Sequence, residues 1–341
     1  MVRVRRNPIA LVPDAGFRRA AFVLVLTTLL GAVGSVVLAD PQSWRAEWPR
    51  TDFTRHAIDY AEIVSGGPPK DGIPAIDRPS FLFASDPGDV TANEPVISVQ
   101  LGGEAHAFPL RIMIWHEIVN DTVGGVPVAV TWCPLCNSSV VFDRRIGGRT
   151  LDFGTTGKLR HSDLVMYDRQ TESWWQQFTG QAIVGEMLGA ELKLVPARVE
   201  SMARFRERFP NGKVLAPPAR SGRAYGTNPY TRYDSAARPF LYQGEYPEKV
   251  PPLARVVAVD GKAWTLDLVR QRRRIESGDL VIVWEPGQAS PLDASDIARG
   301  RDIGNVVVRR RTENGLTDAV HDISFAFAFR AFHPDAPIVS E

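Results

Sequence analysis

The only two cysteines of the chain, Cys133 and Cys136, stand three residues apart in the segment VTWCPLCNSSVVFD. Thiolates are soft ligands, so two sulfurs at this spacing on a tight turn can face one metal ion. The same pair can also form a small disulfide or exchange disulfides with another protein. The cysteine pair therefore predicts one of three roles, which are a metal ligand pair, a catalytic redox pair, or an inert structural disulfide.

A metal site needs more ligands than two sulfurs, and histidine is the residue type that can supply them. We predict His116 as the third ligand, because the Gly124-Gly125 turn can fold its segment back beside the cysteines. His161 is the reserve ligand. A set of two cysteines and one histidine suits Cu(I), or Zn(II) with a fourth ligand or water, so a copper or zinc ion is the expected cofactor. The alternative for His116 is a half-buried ring that donates to a backbone carbonyl.

Polar residues surround His116 in the sequence and are candidates for the outer shell of such a site. Arg111, Glu117 and Asp121 are the nearest charged residues, and a carboxylate of Glu117 or Asp121 is suited to holding the second ring nitrogen of a ligand histidine. These residues are equally suited to a solvated turn and helix cap. A second polar cluster follows the cysteines and offers either oxygen ligands, a substrate rim or solvated ion pairs: Asp163, Asp168, Arg169 and Glu172.

The residues after Cys136 indicate how the pair is positioned. NSSVVFDRRI has no helical period; it is β-branched and aromatic and leads into a Gly147-Gly148 turn, which is typical of a hairpin. In a thioredoxin a helix would start at this point. The cysteine pair is therefore predicted to join two strands in a knuckle, within a predominantly β, α+β fold that is not thioredoxin-like.

The rest of the chain predicts two related β-rich halves with short helices. Segment 257–268 is similar to 99–110, segment 279–287 is similar to the strand that ends at Cys133, and segment 324–334 is similar to 201–210. The second half lacks the cysteines. The predicted organisation is a leader (1–39), an extended proline-rich arm (40–94), a first repeat carrying the cysteines (95–215), a linker or wrapping loop (216–253), and a second, shorter repeat (254–341).

The N-terminus is typical of an export leader. Five arginines and one aspartate flank an uncharged apolar run at 20–39, which suits either a cleaved signal peptide or a retained membrane anchor. We therefore expect an extracytoplasmic protein, periplasmic or secreted. Of the 40 basic and 39 acidic side chains, 35 and 38 remain in residues 40–341, a net charge of −3. This charge argues against a nucleic-acid partner and leaves a metal ion or small molecule as the expected ligand.

Several segments together resemble the bacterial family DUF3179. They are Asp71-Gly-Ile-Pro-Ala-Ile, Phe108-Pro-Leu-Arg-Ile, Trp115-His-Glu-Ile-Val-Asn-Asp, Cys133-Pro-Leu-Cys-Asn, Asp163-Leu-Val-Met-Tyr-Asp-Arg-Gln-Thr-Glu-Ser and Phe178-Thr-Gly. The resemblance covers roughly residues 70–240. It implies that Arg111, His116, Cys133 and Cys136 fall on matching positions of the family pattern, but it brings no established activity. The second half is where this chain departs from the pattern.

Three hypotheses for function follow from these residues. The leading one is a copper or zinc site used for metal handling or metal-assisted chemistry. The second is an extracytoplasmic thiol–disulfide oxidoreductase that uses Cys133 and Cys136 as its catalytic pair. The third is a binding or scaffold protein without catalysis. The sequence contains no Gly-x-Ser-x-Gly, His-Glu-x-x-His, phosphate-binding loop or dinucleotide fingerprint, which removes support for the common hydrolase and nucleotide chemistries.

Overall fold

The structure is a computed structural model that describes residues 41–219 and 221–341. Short strands dominate it, which confirms the predicted β-rich α+β class. Its α-helices are all short: α1 (Pro41–Trp44), α2 (Leu110–His116), α3 (Met202–Arg208), α4 (Leu266–Arg272) and α5 (Ala326–Phe332). Single 3-10 turns lie at Tyr60–Glu62, Tyr233–Ser235 and Ile297–Arg299. The predicted leader lies outside the described residues. Within the described ranges, no helix has the length and apolar character needed to cross a membrane.

The strands up to the end of the first half are β1 (Ile63–Ser65), β2 (Phe81–Phe83), β3 (Pro95–Leu101), β4 (Glu104–Pro109), β5 (Ile118–Val123), β6 (Val126–Cys133), β7 (Ser138–Asp143), β8 (Arg145–Ile146), β9 (Arg149–Thr150), β10 (Phe153–Arg160), β11 (Asp163–Asp168), β12 (Trp174–Gln176), β13 (Ala182–Val184), β14 (Lys193–Leu194), β15 (Ala197–Ser201) and β16 (Lys213–Leu215). The strands of the second half are β17 (Arg255–Val259), β18 (Lys262–Thr265), β19 (Arg274–Ser277), β20 (Leu280–Glu285), β21 (Asn305–Thr312), β22 (Gly315–Asp318), β23 (Asp322–Phe325) and β24 (Ile338–Val339).

The two halves share one connectivity. One sheet has the order β15-β3-β4-β16-β2 and its counterpart has the order β23-β17-β18-β24; β16 and β24 run parallel to β4 and β18. The second sheets have the orders β14-β7-β6-β5 and β19-β20-β21-β22. Helices α2 and α4 both end at a residue with positive φ, Glu117 at 58° and Arg273 at 61°. The backbone N–H groups of Trp132 and Trp284 then donate to the carbonyls of these two residues.

Two differences between the halves concern the cysteines. The turn from β6 to β7 is short and carries the Cys133-Cys136 pair, whereas the equivalent β20-to-β21 connection is the long loop 286–304. The first half also contains an inserted sheet, β1-β10-β11-β12-β13, which has no counterpart in the second. The main hydrophobic core lies around α2 and β5 to β7 and includes both cysteines and Trp132. The cysteine turn and the inserted sheet are thus both features of the first half.

Residues predicted as an arm and as a linker contact the body along most of their length. The segment 41–94 supplies β1 to the inserted sheet and β2 to the sheet of β3 and β4. Tyr233 in segment 221–253 is 2% exposed, and Asp234 is fully enclosed as a side chain, where it pairs with Arg255 and Arg301. Both segments therefore form part of the packed fold.

Candidate metal centre

Cys133 and Cys136 lie on a strand-to-strand knuckle, as the sequence predicted. Cys133 is the last residue of β6 and pairs in register with Ser138, the first residue of β7. Asn137 closes the turn at φ 50°, a conformation that asparagine adopts more readily than most residues. Both cysteines are free thiols, 2% and 0% exposed. The turn thus holds two reduced sulfurs inside the core.

Asp163 is the third member of the site. It begins β11 in the inserted sheet, directly after His161 and Ser162, which both have positive φ. The two sulfurs and one carboxylate oxygen of Asp163 all lie within 4.8 Å of one another. Its Oδ2 accepts hydrogen bonds from Gln176 Nε2 at 2.6 Å and from Phe178 N at 3.0 Å. Its buried Oδ1 has no partner of ordinary hydrogen-bond geometry among the described residues, and both thiols lie close enough to lower the pKa of Asp163 by hydrogen bonding. The geometry therefore presents two sulfurs and one carboxylate to a common point.

The electrostatics of this group are those of buried acids without a counter-charge. Burial raises the pKa of Asp163 to about 7 and that of Glu117 to about 8, and it raises the pKa of both thiols. No cation is among the groups that set these four values. Ionised acids in a buried site need a positive partner, since the desolvation cost is otherwise uncompensated. Asp163 is therefore partly ionised near neutral pH without a positive partner, and the group is suited to receive a cation.

A small cavity of about 80 Å³ adjoins Cys133. This volume accommodates a few water molecules. Glu117 and Tyr230 line the cavity together with Cys133. Glu117 is 7% exposed, and its carboxylate makes no hydrogen bond to any described residue. The cavity thus places a free carboxyl group beside the cysteine.

The segment 66–77, here called the strap, closes one side of the cavity through Gly66, Pro68 and Ile73. Two aspartates fasten it to the body. Asp71 Oδ2 accepts from Tyr167 Oη at 2.5 Å and from Arg169 Nη1 at 2.9 Å. Asp77 accepts from Asn120 Nδ2 at 2.7 Å and pairs with Arg169 at 3.2 Å. The strap is therefore held at its middle and at its C-terminal end.

The segment 221–253, here called the covering loop, and the second half both contact the cysteine turn or residues beside it. Tyr233 Oη donates to the carbonyl of Leu135, between the two cysteines, at 2.9 Å. Ser162 Oγ donates to the carbonyl of Phe240 at 2.7 Å. Phe325 of β23 donates its backbone N–H to the carbonyl of Cys136 at 2.8 Å. Three parts of the chain that are distant in sequence thus enclose the cysteine turn.

The structure does not place His116 in the group formed by the two sulfurs and Asp163. Its ring is buried, with Nδ1 bonded to the Pro74 carbonyl and Nε2 to Tyr225 Oη, both at 2.7 Å. Burial lowers the pKa of the ring, which keeps it neutral. His116 thus bridges the strap to the covering loop, and a ligand role would require Tyr225 or Pro74 to release a ring nitrogen.

The other predicted residues are distributed around the site. His161 precedes Ser162 and Asp163, and its Nε2 lies 3.3 Å from Glu62 Oε2. Arg111 points to the Asp89 carbonyl and to Glu94. Asp121 accepts from Nδ1 of His106 at 2.7 Å rather than from His116. Of the predicted outer-shell residues, Glu117 is the one that the structure brings beside a cysteine.

Comparison with known proteins identifies the family and no relative of known activity. No curated protein matches the chain. No solved structure matches it either. The family model described as a protein of unknown function (DUF3179) matches residues 70–336, which extends the resemblance through most of the second half. The chain therefore belongs to the DUF3179 family.

Proposed function

We propose that this protein binds a zinc ion through Cys133, Cys136 and Asp163, with one coordination position directed at the cavity beside Cys133. The observation that carries the proposal is the close approach of two buried sulfurs and a buried carboxylate oxygen of Asp163, all within 4.8 Å. Two sulfurs bound to one tetrahedral zinc lie about 3.8 Å apart, given zinc–sulfur bonds of about 2.3 Å. A contraction of no more than about 1 Å would bring the three atoms into that geometry.

The donor set favours zinc over copper. Carboxylate oxygen is a hard ligand, and Zn(II) accepts sulfur and carboxylate together, whereas Cu(I) prefers soft ligands throughout. With Asp163 rather than His116 as the third ligand, the expected metal is therefore zinc alone instead of copper or zinc.

Three protein ligands and one open position are typical of catalytic rather than structural zinc. Such an ion supplies Lewis acidity to a water or substrate oxygen. Glu117 lines the cavity beside Cys133 without a hydrogen bond of its own, so it is available to accept or return a proton there. The proposal is therefore metal-assisted chemistry on a small substrate, with Glu117 as the proton-transfer group.

Metal analysis of protein purified under reducing conditions tests the proposal. We expect about one zinc ion per chain, lost in both Cys133→Ser and Asp163→Asn. Asp322→Asn is the matched control, because Asp322 is another carboxylate near the turn, hydrogen-bonded to Ser138 and Ser139, that lies outside the metal group. Less than about a tenth of an equivalent of zinc in the parent protein would contradict the proposal, and stoichiometric copper in its place would overturn the choice of metal.

A second candidate function is thiol–disulfide exchange. It is favoured by the proximity of the two free sulfurs and by the exposure of Cys133 to the cavity. The raised pKa of both thiols opposes it, because the thiolate is the attacking species. Equilibration in glutathione buffers followed by alkylation measures the pair directly. A pair that stays reduced across these buffers, and that does not reduce an insulin disulfide, excludes this function.

A further inference from the structure

A groove of about 500 Å³ lies between the two halves of the molecule, on a side where β7 and β14 face β23 and α5. Its volume is in the range of small-molecule sites. Phe178 and Phe332 stack on each other in its wall, with ring centroids 4.8 Å apart and planes 18° apart. Leu194 and Val320 line it and are 43% and 39% exposed. The groove therefore offers an apolar, aromatic surface open to solvent.

The charges of this groove are all acidic. Asp322, Glu191 and Asp260 line it, and no lysine or arginine is among its described lining residues. Asp260 pairs with Arg310, whereas Asp322 and Glu191 have no ion pair with any described residue. The two histidines in the lining, His321 and His333, have pKa values lowered by burial and are neutral at pH 7.

Other grooves of the molecule differ in charge. One is lined by three arginines and three aspartates. Another is lined by five arginines and three glutamates. In the present groove the acids have no basic residue among the described lining residues, and two of the carboxyl groups have no ion pair, so its potential is complementary to a cation.

The floor of the groove has unused hydrogen-bonding capacity. Asp322 receives long hydrogen bonds from Ser138 Oγ and Ser139 N, both at 3.4 Å, and burial raises its pKa to about 7, so a cation bound beside it would favour its ionised form. Ser139 is 8% exposed, and its buried hydroxyl has no partner among the described residues. A buried hydroxyl without a partner is uncommon in proteins and indicates a missing ligand or water. The floor can thus accept the N–H groups of a bound cation.

We propose that this groove binds an organic ammonium compound with an aromatic or branched apolar body. The ammonium group lies at Asp322 and Ser139, and the negative charge of Glu191 adds to its electrostatic attraction. The apolar body packs against Phe178 and Phe332. Charge and hydrogen bonding favour this class over a neutral or anionic molecule. The proposal uses neither the cysteines nor the zinc ion and stands independently of them.

Calorimetric titration with three probes of similar size tests the proposal: benzylamine, benzyl alcohol and phenylacetate. We expect benzylamine to bind about tenfold more tightly than benzyl alcohol, and phenylacetate to bind most weakly. Asp322→Asn should remove the preference for the amine while zinc content is unchanged. Phe332→Ala should weaken the amine and the alcohol by the same factor, because it removes the shared apolar contact.

Glu191→Gln provides a second reading if Asp322→Asn does not fold, since Glu191 is exposed and should reduce the amine preference about two- to threefold. Equal affinity for amine and alcohol would overturn the proposal. Absence of amine binding up to about 10 mM, or an amine preference that survives both carboxylate variants, would overturn it as well.

Discussion

The chemistry of the site depends on acidic side chains that the fold buries in their protonated form. In the unfolded chain Asp163 and Glu117 have pKa values near 4 and are ionised above about pH 6. In the folded protein burial raises these values to about 7 and about 8. Folding of the metal-free protein therefore takes up protons, and the free energy of unfolding must fall as pH rises through the folded pKa values.

We expect the metal-free protein to lose on the order of 1 kcal/mol of stability between pH 7 and pH 9, since Glu117 loses its proton in the folded protein within this range. Asp322, with a pKa raised by burial to about 7, and the two thiols act in the same direction. Urea unfolding at the two pH values measures the change. Glu117→Gln should reduce the slope, and zinc should reverse it because metal binding releases ligand protons. Stability that rises with pH in metal-free protein would contradict the burial of these acids.

Two substitutions test whether Asp163 or His116 is the third zinc ligand. His116→Gln keeps a side chain able to bond to Pro74 and Tyr225, whereas Asp163→Asn removes the charged oxygen beside the sulfurs. We expect zinc content to remain near one equivalent in the histidine variant and to fall by about tenfold or more in the aspartate variant. Loss of metal in His116→Gln alone would restore His116 as the ligand and require the covering loop to move.

At the scale of elements, the sequence predicted the turns and strands that local residue patterns determine. Gly124-Gly125 was predicted as a turn that folds the His116 segment back, and the structure forms it between β5 and β6. The β-branched run after Cys136 predicted the knuckle. Helix α2 does lead into that hairpin, yet its last residue His116 is directed to Pro74 and Tyr225. Asp163 was named only as one of several charged turn residues. Its approach to the sulfurs depends on how the inserted sheet packs, which no local period encodes.

The strap is the element whose position controls access to Cys133. Asp71 is its principal fastening, through Tyr167 and Arg169. We expect Asp71→Asn to increase the rate of Cys133 alkylation by iodoacetamide in metal-free protein by about tenfold, since one charge-assisted contact of about 1.5 kcal/mol is lost. Glu186→Gln is the control substitution. It breaks the exposed ion pair Arg149–Glu186, which contributes little to stability because both side chains are solvated. Equal alkylation rates in both variants would show that the strap does not limit access.

For the whole molecule, the second half acts as a wall of the site in the first. It repeats the connectivity of the first half without the cysteines. The sequence similarity of segments 257–268 and 279–287 to the first half predicted this relation. What the sequence could not predict is the contact between the halves. Asp322 and Phe325 of β23 contact Ser138, Ser139 and Cys136, and the two contacts of Asp322 span 184 and 183 residues of sequence.

Substitution of two phenylalanines separates the stability of the second half from its effect on the zinc site. Phe325 is fully buried in the core that contains both cysteines, whereas Phe329 is buried in a separate cluster with Val250 and Val256. Replacing either by alanine should cost about 3–5 kcal/mol. Only Phe325→Ala should also lower zinc affinity, because its side chain packs in the core that holds the cysteine turn and its backbone bonds to Cys136. Competition with a chromophoric chelator measures the affinity of each variant. A similar loss of zinc affinity in Phe329→Ala would mean that the site senses only the overall stability of the second half.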